Sequence, residues 1–138
     1  IDAAAVYTED IVAQRLAVIA QVSLARILRL RGDNATAERL LGAAEKRVGA
    51  ADARATPLLN LLMAAIADER GDLATVEQDY AGAKAHFDRS IALQRAFLQS
   101  EPEASLVARD LVWTSIASAK SLRAAGEPGA VRTRLAEA

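Results

Sequence analysis

Three stretches of the chain resemble one another, and this internal repetition limits the possible folds more than any other feature. Each has an apolar helical segment with a small residue seven positions before a tight turn. In the first two stretches, small residues follow five and twelve positions after the turn. The third stretch matches this pattern less well towards Leu135. The turns fall at Gly32, Gln78 and Gly126, which are 46 and 48 residues apart. A fixed period of roughly 20–50 residues predicts helix pairs stacked as a solenoid. The small residues of the pattern are Ala25, Ala37, Ala44, Gly71, Ala83, Ser90 and Ala119.

The composition agrees with one small all-α domain. The chain has 138 residues, of which 52% are hydrophobic and about a quarter are alanine, the best helix former. Only 4% are aromatic and few runs are β-branched, so a sheet has little to be built from. A single helix pair cannot bury its apolar face alone. We therefore expect close stacking through the small residues, with Leu41 and Phe87 filling the space beside them.

Net charge, cysteine content and hydropathy narrow the functional classes. A net charge of −1 provides no field that would attract nucleic acid or an anionic membrane. The absence of cysteine excludes disulfides and thiolate metal sites, and it fits a reducing, cytoplasmic compartment. The longest apolar stretch, 58–67, is shorter than the roughly 18 residues of a membrane span. We therefore expect no membrane-spanning helix, and the N-terminus lacks the pattern of a signal peptide.

Capping and turn residues place the first helix pair. A helix is predicted from a cap at Thr8 to Arg31, with apolar residues on a wide face. Gly32 then supplies an open backbone geometry and Asp33 can cap the second helix. That helix is predicted to end near Val48.

The middle of the chain leaves two interpretations open. Gly71 and Asp72 could form a turn that ends a short helix, or Gly71 could lie inside a longer helix from Pro57 to about Glu77. Glycine inside a helix costs about 1 kcal/mol relative to alanine, so it needs a packing reason. The repeat supplies one, because a small residue is needed there for close contact between paired helices. We favour the longer helix, and the approximate repeats are then 9–49, 57–100 and 103–138.

The most specific pattern lies in the second repeat and the start of the third. It consists of the helical segment 83–93, Pro102 and Arg109-Asp110-Leu111. This pattern resembles the second helix, the linker proline and the opening of the next repeat in a lengthened variety of tetratricopeptide (TPR) repeats, common in large bacterial multidomain proteins. The resemblance implies antiparallel helix pairs stacked as a right-handed superhelical, TPR-like solenoid. In that family the inner groove holds peptides or partner proteins.

Three positions depart from the family pattern. Gln78 replaces the usual turn glycine, and Gln21 and Ser115 stand where a large aromatic residue often packs. Individual repeats of this family vary widely, so these departures affect the register more than the resemblance itself.

The repeat register also predicts which charges face the groove. The first helices of the three pairs contribute one acidic cluster between two basic clusters. In one interpretation the basic side chains hold carboxylates of a partner peptide. In the other, the charges are solvated or pair between neighbouring repeats, each pair contributing about 0–1 kcal/mol. The pattern does not reproduce the family's carboxylate clamp, which combines basic residues with asparagines. The six candidate groove residues are Arg26, Arg29, Asp68, Asp72, Lys120 and Arg123.

The sequence shows no constellation for catalysis, a metal or a cofactor. His86 is the only histidine, so neither a catalytic triad nor a histidine-rich zinc site can be built from this chain. Asp68 and Asp72 share a helix face, as in some magnesium-binding helices, but no matching acids are predicted on another helix. Trp113, the only tryptophan, either packs in the core or between repeats, or anchors a partner in the groove. We therefore expect a protein that is not an enzyme.

The predicted function is protein–protein interaction or scaffolding through a concave helical groove. We expect a protein or peptide partner, no direct contact with nucleic acid or membrane, and a role as the docking or sensing arm of a larger bacterial protein. One alternative is a ligand-sensing regulatory region of a signalling or transcription regulator, which a discrete pocket would favour. Another is a self-associating structural module, which an apolar terminal face would favour. Because the chain begins at Ile1 without methionine and ends at Ala138 inside a predicted helix, we expect a piece of a longer protein or a processed chain.

Overall fold

The computed structural model describes residues 3–50 and 56–137 as six α-helices without a β-strand. The helices pack as sequential antiparallel pairs, so the prediction of an all-α fold built from helix pairs is confirmed. Their bounds are α1 Ala3–Leu30, α2 Asn34–Gly49, α3 Thr56–Val76, α4 Tyr80–Ser100, α5 Ser105–Ala124 and α6 Pro128–Glu137.

Each helix pair contacts the next one along the chain. Within the pairs α1 packs on α2, α3 on α4 and α5 on α6. Between the pairs α2 contacts α3 and α4 contacts α5, and the first helices α1, α3 and α5 also contact one another in that order. These three helices form a continuous layer, and we call its exposed surface the odd-helix face. All six predicted groove residues belong to helices of this layer.

Small residues allow the first two helices to approach closely, as predicted. Ala25 of α1 is fully buried against α2, where Ala37 and Ala44 are buried as well. Leu41 fills the space beside them and is also fully buried.

Gly71 lies inside α3, which confirms the prediction of a longer helix. A Cβ atom at this position would lie 2.6 Å from Cε1 of Phe87 in α4. Carbon atoms in contact are normally about 3.5–4 Å apart, so no side chain fits here. The close packing of α3 on α4 therefore explains why glycine is used despite its low helix propensity.

The three predicted turns share one backbone geometry. Gly32, Gln78 and Gly126 have φ angles of 84°, 62° and 80°, in the left-handed region. After each turn residue, the next N–H donates to the carbonyl five positions earlier, which ends the preceding helix in the same way. Glycine adopts this conformation freely, whereas for Gln78 it is strained.

Aspartate caps let the next helix begin directly after the first two turns. Oδ1 of Asp33 accepts a hydrogen bond from the backbone N–H of Thr36 at 3.2 Å, so the predicted cap is confirmed. Oδ1 of Asp79 accepts one from the N–H of Gly82 at 2.9 Å. Each cap satisfies a first-turn donor that has no partner within the helix.

The two joints between helix pairs differ in composition. The first and second pairs share a cluster of buried apolar side chains that runs from Val18 to Leu73. The third pair meets the second through α5, where Thr75 Oγ1 lies 3.0 Å from Ser121 Oγ. The buried hydroxyl residues of α5 are Thr114, Ser115, Ser118 and Ser121.

One prediction about α1 is wrong, and the absence of a membrane-spanning helix stays a prediction. The helix begins at Ala3 and not after a cap at Thr8. Its segment Asp10–Leu30, of 21 residues, is long and apolar enough to cross a membrane by length and composition alone. Core helices of soluble proteins and signal sequences meet the same criterion. The sequence prediction counted uninterrupted apolar residues, whereas α1 distributes them between polar ones.

Candidate functional site

Two arginines of α1 bind a buried carboxylate of α3. Arg26 Nε lies 3.2 Å from Oε2 of Glu69, and Arg29 Nε lies 2.5 Å from Oε1. Only 1% of the Glu69 side chain is exposed, so its charge depends on these guanidinium groups for compensation. Arg29 also approaches Asp72, with Nη2 3.5 Å from Oδ2. Only 13% of the Arg29 side chain is exposed, so its guanidinium group is used in contacts within the chain.

Asp72 lies near three of the predicted groove cations. Burial raises the pKa of Asp72, while the positive charges of Arg29, Arg26 and Lys120 oppose the increase. Arg123 is exposed in the last turn of α5, and no ion pair involving it is found in residues 3–50 and 56–137. Ion pairing between neighbouring repeats, the second interpretation of these charges, therefore explains the position of Arg29. It also explains the Nε contact of Arg26, whose side chain is otherwise 56% exposed.

A cavity of about 420 Å³ lies between α3 and α5. Its volume falls within the roughly 300–1,000 Å³ that is typical of small-ligand sites. Of the described helices, α3 and α5 contribute most of its wall, α1 contributes one arginine and α4 one glutamine. The lining residues are Arg26, Leu61, Ala64, Ala65, Asp68, Gln94, Val107, Asp110, Trp113 and Thr114.

Trp113 stands at the exposed side of this cavity. Of its surface 64% is exposed, so the interpretation that it packs in the core is wrong. The neighbouring positions Thr114, Ser115 and Ser118 are buried instead. Small hydroxyl residues, together with Ala119 and Leu122, form the buried side of α5. The indole ring is left on the surface, where tryptophan is characteristic of binding hot spots.

Gln94 of α4 forms a buried part of the cavity wall and is 5% exposed. Two neighbouring hydroxyls already donate elsewhere, because Ser90 Oγ donates to the carbonyl of Ala64 at 2.8 Å and Thr114 Oγ1 to that of Asp110 at 3.0 Å. Both hydroxyls must accept from Gln94, whose Nε2 lies 3.5 Å and 3.2 Å from them. This network orients the amide and leaves Oε1 without a partner among the described residues.

Asp68 of α3 provides a second acceptor without a partner. Its Oδ1 is closed to solvent and receives no hydrogen bond within the part of the chain that the structure describes. Burial, followed by repulsion from Asp72, raises the pKa of Asp68 to about 6, although the Thr114 hydroxyl and the charge of Arg26 act to lower it. At neutral pH the cavity therefore holds a poorly solvated carboxylate. Arg26 lines the same cavity, but its Nε is bound to Glu69.

Gln94 was not predicted as a site residue, although the sequence contained a signal for it. Ala83, Phe87 and Ser90 mark the buried stripe of α4 at helical spacing, and Gln94 continues that stripe. A large polar residue on a buried stripe needs partners of its own. It is therefore a candidate for a polar site.

Glu69 was also missed as the partner of the α1 arginines. It lies two positions before Gly71, which marks the side of α3 that faces α4. Two positions correspond to roughly half a helical turn, so Glu69 points to the opposite side, towards α1. A charged residue on that side predicts an ion pair with α1.

Comparison with known proteins finds no match. No protein-family model matches this sequence, and neither a curated protein nor a solved structure matches it. The described residues contain no group of three or more His, Asp or Glu side chains that could hold a metal ion. The function is therefore inferred from the site geometry and the repeat pattern.

Proposed function

We propose that the chain is a protein-interaction module of the TPR type, whose odd-helix face binds an extended segment of a partner protein. The observation that carries this proposal is the exposed Trp113 beside a cavity with buried, unpartnered acceptors. Tryptophan is among the residues that contribute most to binding energy at interfaces. A concave site with a few convergent polar groups is the usual form of a binding pocket.

The repeat pattern supports the TPR part of the proposal. The small residues five and twelve positions after the first two turns, which are Ala37, Ala44, Ala83 and Ser90, are all buried. In the arrangement that the resemblance implies, the pairs form a right-handed superhelix and their first helices line its inner groove. The odd-helix face would then be that groove.

Selection from a library of random peptides tests the proposal. We expect the native chain to enrich a common motif and Trp113→Ala to lose it. Leu106→Ala is the matched control, because Leu106 is equally exposed on the same helix but does not line the cavity. Bound peptides should shift the emission of Trp113, the only tryptophan. Equal enrichment by the native chain and Trp113→Ala would contradict the proposal.

A second candidate function, self-association, is favoured by the surface of α1. This helix has an apolar stripe opposite its buried residues Val18 and Val22, and no other described helix covers it. Contiguous exposed apolar surface of this kind marks interaction sites in many proteins. The stripe consists of Val12, Leu16, Ile19, Ile27 and Leu30.

The repeat register indicates what kind of surface fits this stripe. A shift of 46 positions maps Leu16 onto Leu62 and Ile27 onto Leu73. Leu62 and Leu73 are buried in the core that the first two pairs share, whereas Leu16 is 62% exposed. The stripe therefore corresponds to the side of α3 that packs on the preceding pair. A helix pair from a second copy of the chain would fit it.

Sedimentation velocity over a range of protein concentrations tests self-association. We expect the native chain to associate and Leu16→Glu to remain monomeric, because the glutamate would place a charge in the apolar contact. Leu106→Glu adds the same charge at an exposed position of α5 and should behave like the native chain. A native chain that stays monomeric throughout would exclude this second function.

A further inference from the structure

We propose that the cavity between α3 and α5 binds a primary ammonium group, supplied by a lysine side chain of the partner segment. This inference rests on the proposed function, because it names the side chain that the odd-helix face would recognise. It is carried by the balance of donors and acceptors in the cavity and by the position of Trp113.

Two residues of the cavity wall carry buried acceptors that lack donors. Oε1 of Gln94 and Oδ1 of Asp68 are buried and have no partner within residues 3–50 and 56–137. Because the hydroxyls of Ser90 and Thr114 donate to carbonyls, both accept from Nε2 of Gln94, and this orients the amide with Oε1 away from them. Asp110 adds an exposed carboxylate to the wall, and its Oδ1 accepts a hydrogen bond from Nη2 of Arg109 at 3.3 Å. A fitting ligand must therefore donate hydrogen bonds, and an ammonium group has three donors and no acceptor.

The charge of the cavity also favours a cation. Asp68 has no ion-pair partner within the described part of the chain, and Arg26, the cation of the described wall, is held by Glu69 through its Nε. An anionic ligand would be repelled by Asp68. A neutral donor would satisfy the hydrogen bonds but would leave Asp68 without an ion pair, whereas an ammonium group provides both.

Trp113 and the apolar wall suit the rest of a lysine side chain. The face of an indole ring attracts a cation through its quadrupole. The four methylene groups of lysine pack on apolar surface while the charged end keeps its polar contacts. Leu61, Ala64 and Val107 of the cavity wall provide such a surface.

Three probes test the inference. The first is a blocked peptide, acetyl-Gly-Ala-Lys-Ala-Gly-amide. In the second, norleucine replaces the lysine, which keeps the methylene groups and removes the ammonium group. The third is n-butylammonium chloride, which presents the ammonium group without a peptide. Binding is followed at neutral pH by the emission of Trp113 and by isothermal titration calorimetry.

We expect the lysine peptide to bind saturably. The norleucine peptide should bind more weakly by about tenfold or more, because it lacks a charge-assisted hydrogen bond. Asp68→Asn keeps the shape of the side chain and removes its charge, so it should weaken the lysine peptide by about tenfold as well. Leu106→Ala should bind the lysine peptide like the native chain. Circular dichroism confirms that each variant is folded.

The outcomes separate this inference from the proposed function. Equal binding of the two peptides, no binding of either, or unchanged binding by Asp68→Asn would overturn the ammonium site. If library peptides require Trp113 but show no preference for lysine, the proposed function stands and this inference fails. If n-butylammonium binds as tightly as the lysine peptide, the ammonium site is upheld and a lysine of a partner as its source is refuted.

Discussion

Replacing Asp68 with asparagine should stabilise the protein at neutral pH. Burial raises the pKa of Asp68 from its ordinary value of 3.8 to about 6. The folded state therefore holds this proton more tightly than the unfolded state, so stability falls as the pH rises from about 4 to about 6. At about 1.4 kcal/mol per pKa unit, the full penalty above that range is about 3 kcal/mol. Asparagine does not titrate, so Asp68→Asn avoids this penalty.

Urea unfolding followed by circular dichroism, at pH values from about 3.5 to about 8, measures the effect. The free energy of unfolding of Asp68→Asn minus that of the native protein should increase by about 3 kcal/mol across this range. Glu103→Gln removes an exposed carboxylate and serves as the control, for which we expect a change of a few tenths of a kcal/mol at most. A difference for Asp68→Asn that stays constant with pH would refute the reasoning, since the carboxylate would then be solvated or paired in the folded state.

Three other substitutions test the turns, the helix contacts and the ion pairs. Gln78→Gly should raise the free energy of unfolding by about 1 kcal/mol, because the φ of 62° is strained for a residue with a Cβ, and Gly126→Ala should lower it by a similar amount. Thermal unfolding measures both, and a destabilised Gln78→Gly would contradict the turn geometry. Gly71→Ala should lower the free energy of unfolding by about 1–3 kcal/mol, because the added methyl group overpacks against the ring of Phe87 in α4. Alanine has the higher helix propensity, so a variant that is more stable in urea would disprove the close contact. Glu69→Gln should cost about 2–3 kcal/mol, because it leaves two arginines without their buried counter-charge, and unchanged urea stability would show that the ion pairs contribute nothing.

The helix contacts could be predicted from the sequence because helical geometry is local and periodic. Residues seven positions before a turn and five positions after it face the paired helix whatever the rest of the chain does. Ala25, Ala37 and Ala83 are buried for this reason, and Gly71 meets Phe87 at a corresponding position. The turn at Gln78 was found by the same spacing although it lacks glycine.

The site could be predicted only in part, because it depends on how the pairs are rotated against one another. The register placed Arg26 and Asp68 on one face, but long side chains reach several neighbours, and only the packed structure selects Glu69 for Arg26. The exposure of Trp113 has a similar origin. Tryptophan is usually well buried, and the sequence alone does not show that the hydroxyls of α5 occupy the buried side.

The different composition of the two joints gives the chain an uneven response to temperature. The apolar joint between the first and second pairs weakens on cooling, because its stability comes from burying apolar surface. The joint at α5 combines a smaller apolar cluster, against which Ala117 packs, with the hydroxyl contact between Thr75 and Ser121, so it carries less of this heat-capacity dependence. Cooling should therefore weaken the first joint more than the second. The cavity lined by Asp68 lies at the joint between α3 and α5, so a ligand bound there would also stabilise the packing of α5 on α3.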